Sequence, residues 1–287
     1  MISVSVIIPF LNAESTLSRA IASVIKCDVV SEIILINDGS TDNSPGIAHE
    51  YLNNNPIIKL LHHPNHTNKG ASASRNLGLQ YCSCDWVQFL DADDELLPGK
   101  IDSQLRFTDK DVCFVVGNSV FISSKDLKKK IVSAKDPWVG LIKSRLGNTV
   151  ANFWSRKFLL EVEGWNESLS SSQEYDLMFR LLKINQNIKY SDDFLTLVHK
   201  TPNSISTSPD LKDQRVNNWL KLRLEIKAFL IKNRLFAINR KYYYYSYVRI
   251  FCNENGIDPI ENEGKLYWYC YSIILGIKKM LYGFKAK

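Results

Sequence analysis

The sequence predicts an α/β fold, with a mainly parallel sheet flanked by helices and a helical, basic appendage at the C-terminal end. Three observations lead to this prediction. Short β-branched runs alternate with helix-like segments over the first third of the chain. Polar residues follow the ends of several of these runs, and an acidic cluster follows the fourth. Such alternation is typical of parallel sheets, which bind ligands at the carboxyl ends of their strands.

Four strands and three helices are predicted in this first region. The first helix has an apolar stripe that includes Leu17 and Ile21, and Asn12 precedes it as the expected N-cap. Pro45 and Gly46 weaken the start of the second helix. The predicted strands are Ser3–Phe10, Glu32–Ile36, Ile57–Leu61 and Trp86–Leu90, and the helices after the first are Asp42–Tyr51 and Ala71–Tyr81.

The chain is less regular beyond Pro98. We predict strands at Val112–Val116 and Gly117–Ile122, a loop or mobile hairpin over Ser123–Lys135, a short helix over Phe158–Val162, and a longer helix over Gln173–Ile184. The Ser- and Pro-rich stretch Pro202–Pro209 marks a boundary. We therefore expect two domains, residues 1–205 with the sheet and residues 206–287 with a helical region rich in basic and aromatic residues.

Composition and charge narrow the class of protein. The 287 residues are 45% hydrophobic and 23% charged, which is usual for a globular protein and excludes a disordered chain or a disulfide scaffold. The net charge of +6 is unevenly distributed. Residues 211–287 carry 15 basic and 6 acidic residues, whereas residues 1–210 carry 21 and 24. The two parts are therefore expected to face different partners.

The cysteines and the hydropathy of the sequence indicate in which cellular compartment the protein is expected. The six cysteines form no CxxC pair, and the N-terminus has no secretory signal, so reduced thiols in a cytoplasmic protein are expected. The longest apolar stretch, Leu266–Ile277, is shorter than the roughly 20 residues that a spanning helix needs. We expect no transmembrane segment.

Three carboxylates directly follow the fourth predicted strand. Asp91, Asp93 and Asp94 occupy three of four consecutive positions, where they repel one another unless a cation lies between them. Hard oxygen ligands at this spacing suit Mg²⁺ or Mn²⁺. The alternative is an acidic turn or the start of a helix, where aspartate is favoured in any case.

Five motifs, taken in order, resemble one family over roughly residues 1–200. They are similar to the inverting nucleotide-sugar glycosyltransferases of family 2, of the bacterial polysaccharide type, which have the Rossmann-like GT-A fold. No single motif is specific, but their order and spacing fit the family. The motifs are Val6–Asn12, Asn37–Asp42, Asn68–Gly70 with Ser74–Asn76, Phe89–Asp94, and Gly164–Trp165 followed by Asp176.

The resemblance implies roles for the acidic cluster and for the nucleotide site. Asp93 would bind the metal, Asp91 would lie near the ribose and the metal, and Asp94 would support them. Asp38 would accept the N3 proton of uracil, although an aspartate before glycine also favours a turn. Other residues are implied beside the donor: Pro9 and Asn12 next to the nucleotide, and Arg75 reaching the diphosphate or sugar unless it forms a surface salt bridge.

The resemblance also implies a general base. Inversion by single displacement requires a base on the acceptor side, and the family's Glu-Asp pair reads Gln173-Glu174 here. Glu174 is therefore the predicted base, with Asp176 as the alternative. Trp165 would form an acceptor wall or pack in the core.

Two groups of histidines are weighed as metal ligands. His199 occupies a place where related enzymes carry a histidine close to the metal, although a lone histidine is more often structural. His62, His63 and His66 lie in a polar loop, and we interpret them as a solvated loop.

The expected function is transfer of a sugar from a nucleotide-sugar donor, UDP-linked, to a saccharide or lipid-linked saccharide in bacterial cell-surface polysaccharide synthesis. Residues 211–287 are expected to bind an anionic membrane surface on its cytoplasmic face, or to pack their aromatic rings on the catalytic domain. Nucleic acid is not an expected partner, and the sequence does not indicate an oligomeric state. A non-catalytic scaffold with the same fold is the alternative; a dinucleotide-dependent oxidoreductase is disfavoured because no GxGxxG follows the first strand.

Overall fold

A computed structural model describes residues 3–123, 125, 127–200, 211–258 and 264–282, with side chains as far as residue 274. The predicted boundary stretch Pro202–Pro209 lies outside the described residues. The chain divides into two compact units. The first consists of Met1–Ser133 and Gly147–Pro209, and the second of Ala134–Leu146 and Asp210–Lys287. The short segment Ala134–Leu146 thus belongs with the C-terminal region, which the sequence did not indicate.

The strands that the structure describes lie in the first unit. They are β1 Val4–Phe10, β2 Val30–Asn37, β3 Ile58–His62, β4 Trp86–Phe89, β5 Glu95–Leu96, β6 Phe114–Val116, β7 Ser119–Ile122, β8 Lys128–Ile131, β9 Phe153–Ser155, β10 Lys189–Tyr190 and β11 Thr196–His199. The four strands predicted in the first region are confirmed as β1 to β4, within two residues at each end.

Helices cover the sheet and make up the second unit. In chain order they are α1 Leu17–Ala22, α2 Ser44–Asn54, α3 Ala71–Tyr81, α4 Lys100–Leu105, α5 Pro137–Ile142, α6 Arg156–Glu161, α7 Gln173–Ile184, α8 Lys212–Lys232, α9 Ile238–Glu254 and α10 Lys265–Tyr282. The bounds predicted for α3 and α7 are confirmed. Asn12 is not the N-cap of the first helix: α1 begins at Leu17 after Thr16, and Asn12 instead has a positive φ of 50°.

The main sheet has the order β10-β6-β9-β4-β1-β2-β3. Strands β4, β1, β2 and β3 are mutually parallel, and β9 runs antiparallel between β4 and β6. The α/β class with a mainly parallel sheet is therefore confirmed. Strands β1 and β2 are buried on both faces, which explains why they read as continuous apolar runs rather than as alternating ones.

A second sheet of four strands has the order β5-β11-β7-β8. Strand β8 pairs antiparallel with β7, so the lysine-rich stretch predicted as a loop or mobile hairpin contains a hairpin strand. Strand β5 follows the acidic cluster directly and pairs with β11 at the end of the first unit. This pairing brings residues more than a hundred positions apart to the same place.

The second unit is helical, as the sequence predicts. Arg223 of α8 is fully buried, lies 4.2 Å from the ring centre of Trp219, and donates a hydrogen bond to the carbonyl of Leu141 at the end of α5. These contacts explain why Ala134–Leu146 belongs to this unit, because a buried guanidinium needs acceptors and the end of a helix offers carbonyls.

All six cysteines are free thiols. Cys82, Cys84, Cys113 and Cys252 are buried, Cys27 is half-buried, and Cys270 of α10 is exposed. Within the part of the chain that the structure describes, none of the helices combines the length and apolar character needed to cross a membrane.

Candidate active site

The ends of three parallel strands meet at one edge of the main sheet. Strand β1 lies between β4 and β2, so the residues that follow β4 and β2 lie on either side of the end of β1. The amide of Asp38 donates to the carbonyl of Phe10 at 2.9 Å, and the amide of Leu90 donates to that of Ile7 at 3.0 Å. The structure therefore brings the motifs containing Pro9, Asp38 and Asp91 to the same edge, as the parallel order predicts.

The acidic cluster forms a tight turn at this edge. The amide of Asp94 donates to the carbonyl of Asp91 at 3.0 Å, and the buried carboxylate of Asp94 accepts the amide of His199 at 2.9 Å. Burial raises the pKa of Asp94 well above its usual value, and the charges of Asp91 and Asp93 raise it further. Negative charge is therefore crowded at the end of β4.

Two arginines bring positive charge to this cluster: Nη2 of Arg19 donates to the carbonyl of Asp93 at 2.6 Å, and the second is Arg75. Its Nη2 donates to Oδ1 of Asp91 at 2.6 Å, and its side chain is buried. Arg75 thus does form a salt bridge, but its own side chain is buried and only that of Asp91 is partly exposed. Helix α3 begins after Gly70, and this start directs Arg75 toward the end of β4.

Asp38 is held by the loop that precedes α3. Its two carboxylate oxygens accept the amides of Lys69 at 2.7 Å and Gly70 at 3.0 Å, and Nε2 of His63 lies 3.5 Å from Oδ1. The next residue, Gly39, has φ +85°, and a Cβ there would lie 2.8 Å from the carbonyl oxygen of His66. The turn role and a nucleotide role are compatible, since each carboxylate oxygen has a further lone pair.

Two histidines of this loop are more buried than the solvated loop that the sequence led us to expect. His63 is buried, and its Nε2 lies 2.9 Å from the hydroxyl of Ser74 on α3. It therefore ties the loop both to Asp38 and to the helix that carries Arg75. His62 is partly buried against His66, and burial lowers its pKa, with a smaller effect from His66.

Asn12 lies in the loop after β1 and contacts the loop after β2. Its Oδ1 accepts the amide of Thr41 at 2.8 Å, and its own amide donates to the hydroxyl of Ser40 at 3.1 Å. Pro9 is buried within β1 beside Ile36. These contacts fix the loops that border the nucleotide position implied by the family, and the roles of both residues stay predictions.

The predicted metal ligands fit a cation that is shared with phosphate. Among the described residues, no three histidine, cysteine or acidic side chains converge as a metal-binding group. Asp91 and Asp93 nevertheless belong to one turn, and β11 brings His199 against Asp94. Mg²⁺ and Mn²⁺ commonly take one or two carboxylates and complete their coordination with water and substrate phosphates. The carboxylates that raise the pKa of Asp94 are the donors that such a cation requires.

The two candidate bases lie in the first turn of α7. Asp176 pairs with Arg180, whose Nε is 2.9 Å from its Oδ2 and whose Nη1 donates to the carbonyl of Val162 at 2.6 Å. Glu174 is half-buried in the same turn. The residue before the helix, Ser172, has φ 58°, so the chain turns sharply into α7.

Trp165 packs in the core rather than forming a wall of the site. It is 2% exposed, meets Phe89 edge-on at 5.2 Å, and lies beneath Arg75. Asn76, to which we assigned no role although it lies in a quoted motif, binds the backbone of Trp165. A single sequence does not reveal this pair, because the two residues are 89 positions apart.

Comparisons with known proteins agree with this geometry. The family model described as glycosyl transferase family 2 matches residues 5–163. A Haemophilus influenzae protein described as an uncharacterized glycosyltransferase is 35% identical over 132 residues, which are 45% of this chain and 52% of that protein. The chain therefore spans about half the length of that relative.

Two further proteins match over most of the chain. The Escherichia coli UDP-Glc:α-D-GlcNAc-diphosphoundecaprenol β-1,3-glucosyltransferase WfgD is 27% identical over 266 residues, covering 89% of this chain and 96% of WfgD. The crystal structure of S. aureus TarS 1-349 in complex with UDP-GlcNAc superposes with a TM-score of 0.68 at 17% identity, covering 93% and 78% of the two chains. The fold, the motifs at the sheet edge and the family match together show that this chain belongs to glycosyl transferase family 2.

Proposed function

We propose that this protein transfers a sugar from a UDP-linked donor to a saccharide or lipid-linked saccharide in bacterial cell-surface polysaccharide synthesis. The observation that carries the proposal is the convergence of Asp38, Arg75 and the acidic turn at one sheet edge. The specificity named for WfgD and the ligand named for TarS support a UDP donor, and the WfgD acceptor supports a lipid-linked one. Enzymes of this family generally use a divalent cation.

The donor's nucleotide would lie over the loops after β1 and β2. Asp38 accepts a hydrogen bond from the N3–H group of the base, and Pro9 and Asn12 border the base and ribose. Arg75 donates to the diphosphate from beside Asp91. Because Asp38 is already fixed by the amides of Lys69 and Gly70, its orientation costs little entropy when the nucleotide binds.

Asp93 and Asp91 would hold Mn²⁺ or Mg²⁺. His199 would be a further ligand and would have to turn toward them, because its Nε2 lies 3.8 Å from Oε2 of Glu95. The cation, when bound, neutralises the negative charge that develops on the leaving diphosphate. Asp94 supports the turn from its buried position, where it accepts the amide of His199. The carboxylates thus have separate roles: two bind, and one shapes the loop.

Glu174 acts as the general base in a single displacement with inversion. It takes the proton from the acceptor hydroxyl as that oxygen attacks the anomeric carbon from the face opposite the diphosphate. Asp176 orients α7 through Arg180, which also holds the carbonyl of Val162.

The test measures nucleotide release from a panel of UDP-, GDP- and dTDP-sugars with Mn²⁺ and undecaprenyl-diphosphate-linked acceptors. We expect turnover with a UDP-sugar and a fall of about a hundredfold or more in kcat for Glu174→Gln. Asp176→Asn serves as the matched variant and should retain more activity. No turnover with any donor would favour the non-catalytic scaffold, and a greater loss in Asp176→Asn would move the base to that residue.

The second unit supports docking on an anionic membrane surface. Helix α10 packs aromatic rings against α9, with Tyr267 stacked on Tyr245 at 5.6 Å and Trp268 beside Arg249 at 5.7 Å. Large apolar side chains remain exposed on α10: Leu266, Tyr269, Ile273 and Ile274. Exposure of several large apolar side chains on one helix is a feature of surfaces that bind a partner.

The charge of this region indicates which partner. Residues 211–287 carry 15 basic against 6 acidic residues. Exposed apolar and tyrosine side chains combined with basic residues suit a helix that lies in the interface of an anionic bilayer. A peripheral position would bring the enzyme to a lipid-linked acceptor.

Vesicle co-sedimentation tests this docking without turnover. We expect the protein to pellet with vesicles that contain phosphatidylglycerol, less with pure phosphatidylcholine, and less at high salt. The double variant Leu266→Ser with Ile273→Ser should stay in the supernatant, whereas Leu127→Ser, which alters an exposed leucine of the first unit, should pellet like the wild type. Equal pelleting of both variants would contradict docking through α10.

A further inference from the structure

Trp165 lies beneath Arg75 although it is buried from any substrate. The Cζ atom of Arg75 is 4.7 Å from the centre of the Trp165 ring. Phe89 and Trp154 meet the ring edge-on at 5.2 Å and 6.3 Å, so its position is fixed by packing. A guanidinium over a tryptophan face is held by cation–π attraction, which is stronger where water is excluded. The ring therefore fixes the plane in which the guanidinium lies.

The neighbour of Arg75 on α3 holds the backbone of Trp165. Oδ1 of Asn76 accepts the amide of Trp165 at 2.7 Å, and Nδ2 donates to the carbonyl of Trp165 at 2.9 Å. This approach requires glycine at the preceding position, since Gly164 has φ +67° and a Cβ there would lie 2.4 Å from Oδ1 of Asn76. Helix α3 thus carries both Arg75 and the residue that secures its platform.

The other side of the guanidinium contacts the acidic turn. Nη2 of Arg75 donates to Asp91 at 2.6 Å, while its buried Nε has no hydrogen-bond partner among the described residues. Arg75 is therefore held between a ring below and a carboxylate beside it. A change in the ring would let the guanidinium tilt and would move the group that faces the donor.

We propose that Trp165 is a positioning residue for donor binding, which holds Arg75, and through it Asp91, in the orientation that receives the nucleotide diphosphate. This inference rests on the proposed function. The part that matters is the aromatic face rather than the indole N–H, because Nε1 of Trp165 is buried and has no hydrogen-bond partner in the described part of the chain. A phenylalanine at position 165 should therefore preserve donor binding, whereas a leucine should weaken it.

The experiment measures the Kd of UDP with Mn²⁺ by calorimetry and, separately, the donor KM and kcat. For Trp165→Leu we expect the Kd and KM to rise about 3- to 30-fold, with a smaller change in kcat, and for Trp165→Phe we expect values within about threefold of wild type. Trp138→Leu is the matched control. It removes a buried tryptophan that packs on Phe229 of α8 instead of on Trp165, so the Kd should not change.

The outcomes separate this inference from the proposed function. Wild-type protein that binds no nucleoside diphosphate would contradict the donor site itself. Wild-type binding that Trp165→Leu leaves unchanged, or that Trp138→Leu weakens equally, would overturn the role of Trp165 alone. If Trp165→Leu does not fold, Asn76→Ala keeps the ring and removes its clamp; the same rise in Kd is expected, and an unchanged Kd overturns the inference.

Discussion

Two buried carboxylates lie at opposite ends of the main sheet, and their surroundings differ. Glu32, near the start of β2, accepts hydrogen bonds from the hydroxyl of Ser5 at 2.6 Å, from the amide of Ser83 at 2.6 Å and from Nζ of Lys59 at 2.5 Å. Burial raises the pKa of Glu32, but these donors outweigh burial and lower the pKa to about 2. Its charge is fully compensated by the protein.

Asp94, just beyond the end of β4, has its pKa shifted in the opposite direction. Burial and two neighbouring carboxylates raise its pKa, and the amide of His199 and the charge of Arg19 only partly offset them. The amino end of the sheet therefore holds its negative charge within completed structure, whereas the carboxyl end leaves charge for a ligand to neutralise. Local structure that is unfavourable by itself is expected where a protein binds.

The largest effect is expected at the carboxyl end. Asp93→Asn removes a proposed metal ligand, so the transfer rate should fall about a thousandfold. The free energy of unfolding should stay unchanged or rise, because the variant relieves repulsion between like charges. Steady-state kinetics and urea denaturation measure the two quantities, with the exposed Asp109→Asn as control. A large loss of stability in Asp93→Asn would contradict the comparison.

An intermediate effect is expected at the amino end. The pKa of Glu32 is lowered from 4.5 to about 2, so this group contributes up to about 3 kcal/mol of stability above pH 4.5, which is lost as the pH falls toward 2. Glu32→Gln should lose this contribution at neutral pH and show a flatter acid profile. Urea denaturation of both proteins between pH 2 and pH 7 measures how the free energy of unfolding depends on pH, which is where the lowered pKa of Glu32 should appear. If the free energies of unfolding of the two proteins fell in parallel with pH, the hydrogen-bond donors around Glu32 would not stabilise its charge as described.

The smallest effect concerns a single donor to Glu32. The side chain of Lys59 is 50% exposed, and ion pairs with an exposed partner are screened by water. Lys59 is the donor that lowers the pKa of Glu32 most, but the screening means that Lys59→Met should lower the free energy of unfolding by only about 0.5 kcal/mol. A loss comparable to that of Glu32→Gln would assign the compensation to Lys59 instead.

The sequence predicted local elements well where periodicity was strong. Strands β1 to β4 are short apolar runs and helix α7 has a periodic apolar face, and these patterns do not depend on distant residues. Short strands such as β9 and β11 were missed, because two to four residues carry no periodic signal and form only by pairing. The expectation for Asn12 failed because its side chain binds Thr41 instead of capping a helix.

The site was predictable in its residue types but not in its contacts. Order along the chain placed Asp38 and Asp91 at one edge, since parallel strands end together. The sequence did not show that Trp165 would support Arg75, or that Glu32 would collect three donors, because each contact joins distant positions. The assignments of Glu174 and Asp93 stay predictions until the variants are measured.

The thiols described above also have a practical use. Four are buried and Cys27 is half-buried, so a maleimide dye added to the folded protein should react first at Cys270, which lies exposed on α10. A polarity-sensitive fluorophore at that position would sit beside the apolar residues of the proposed docking face. Its emission would shift to the blue when vesicles arrive, and this single natural cysteine would report docking in real time without any engineered label site.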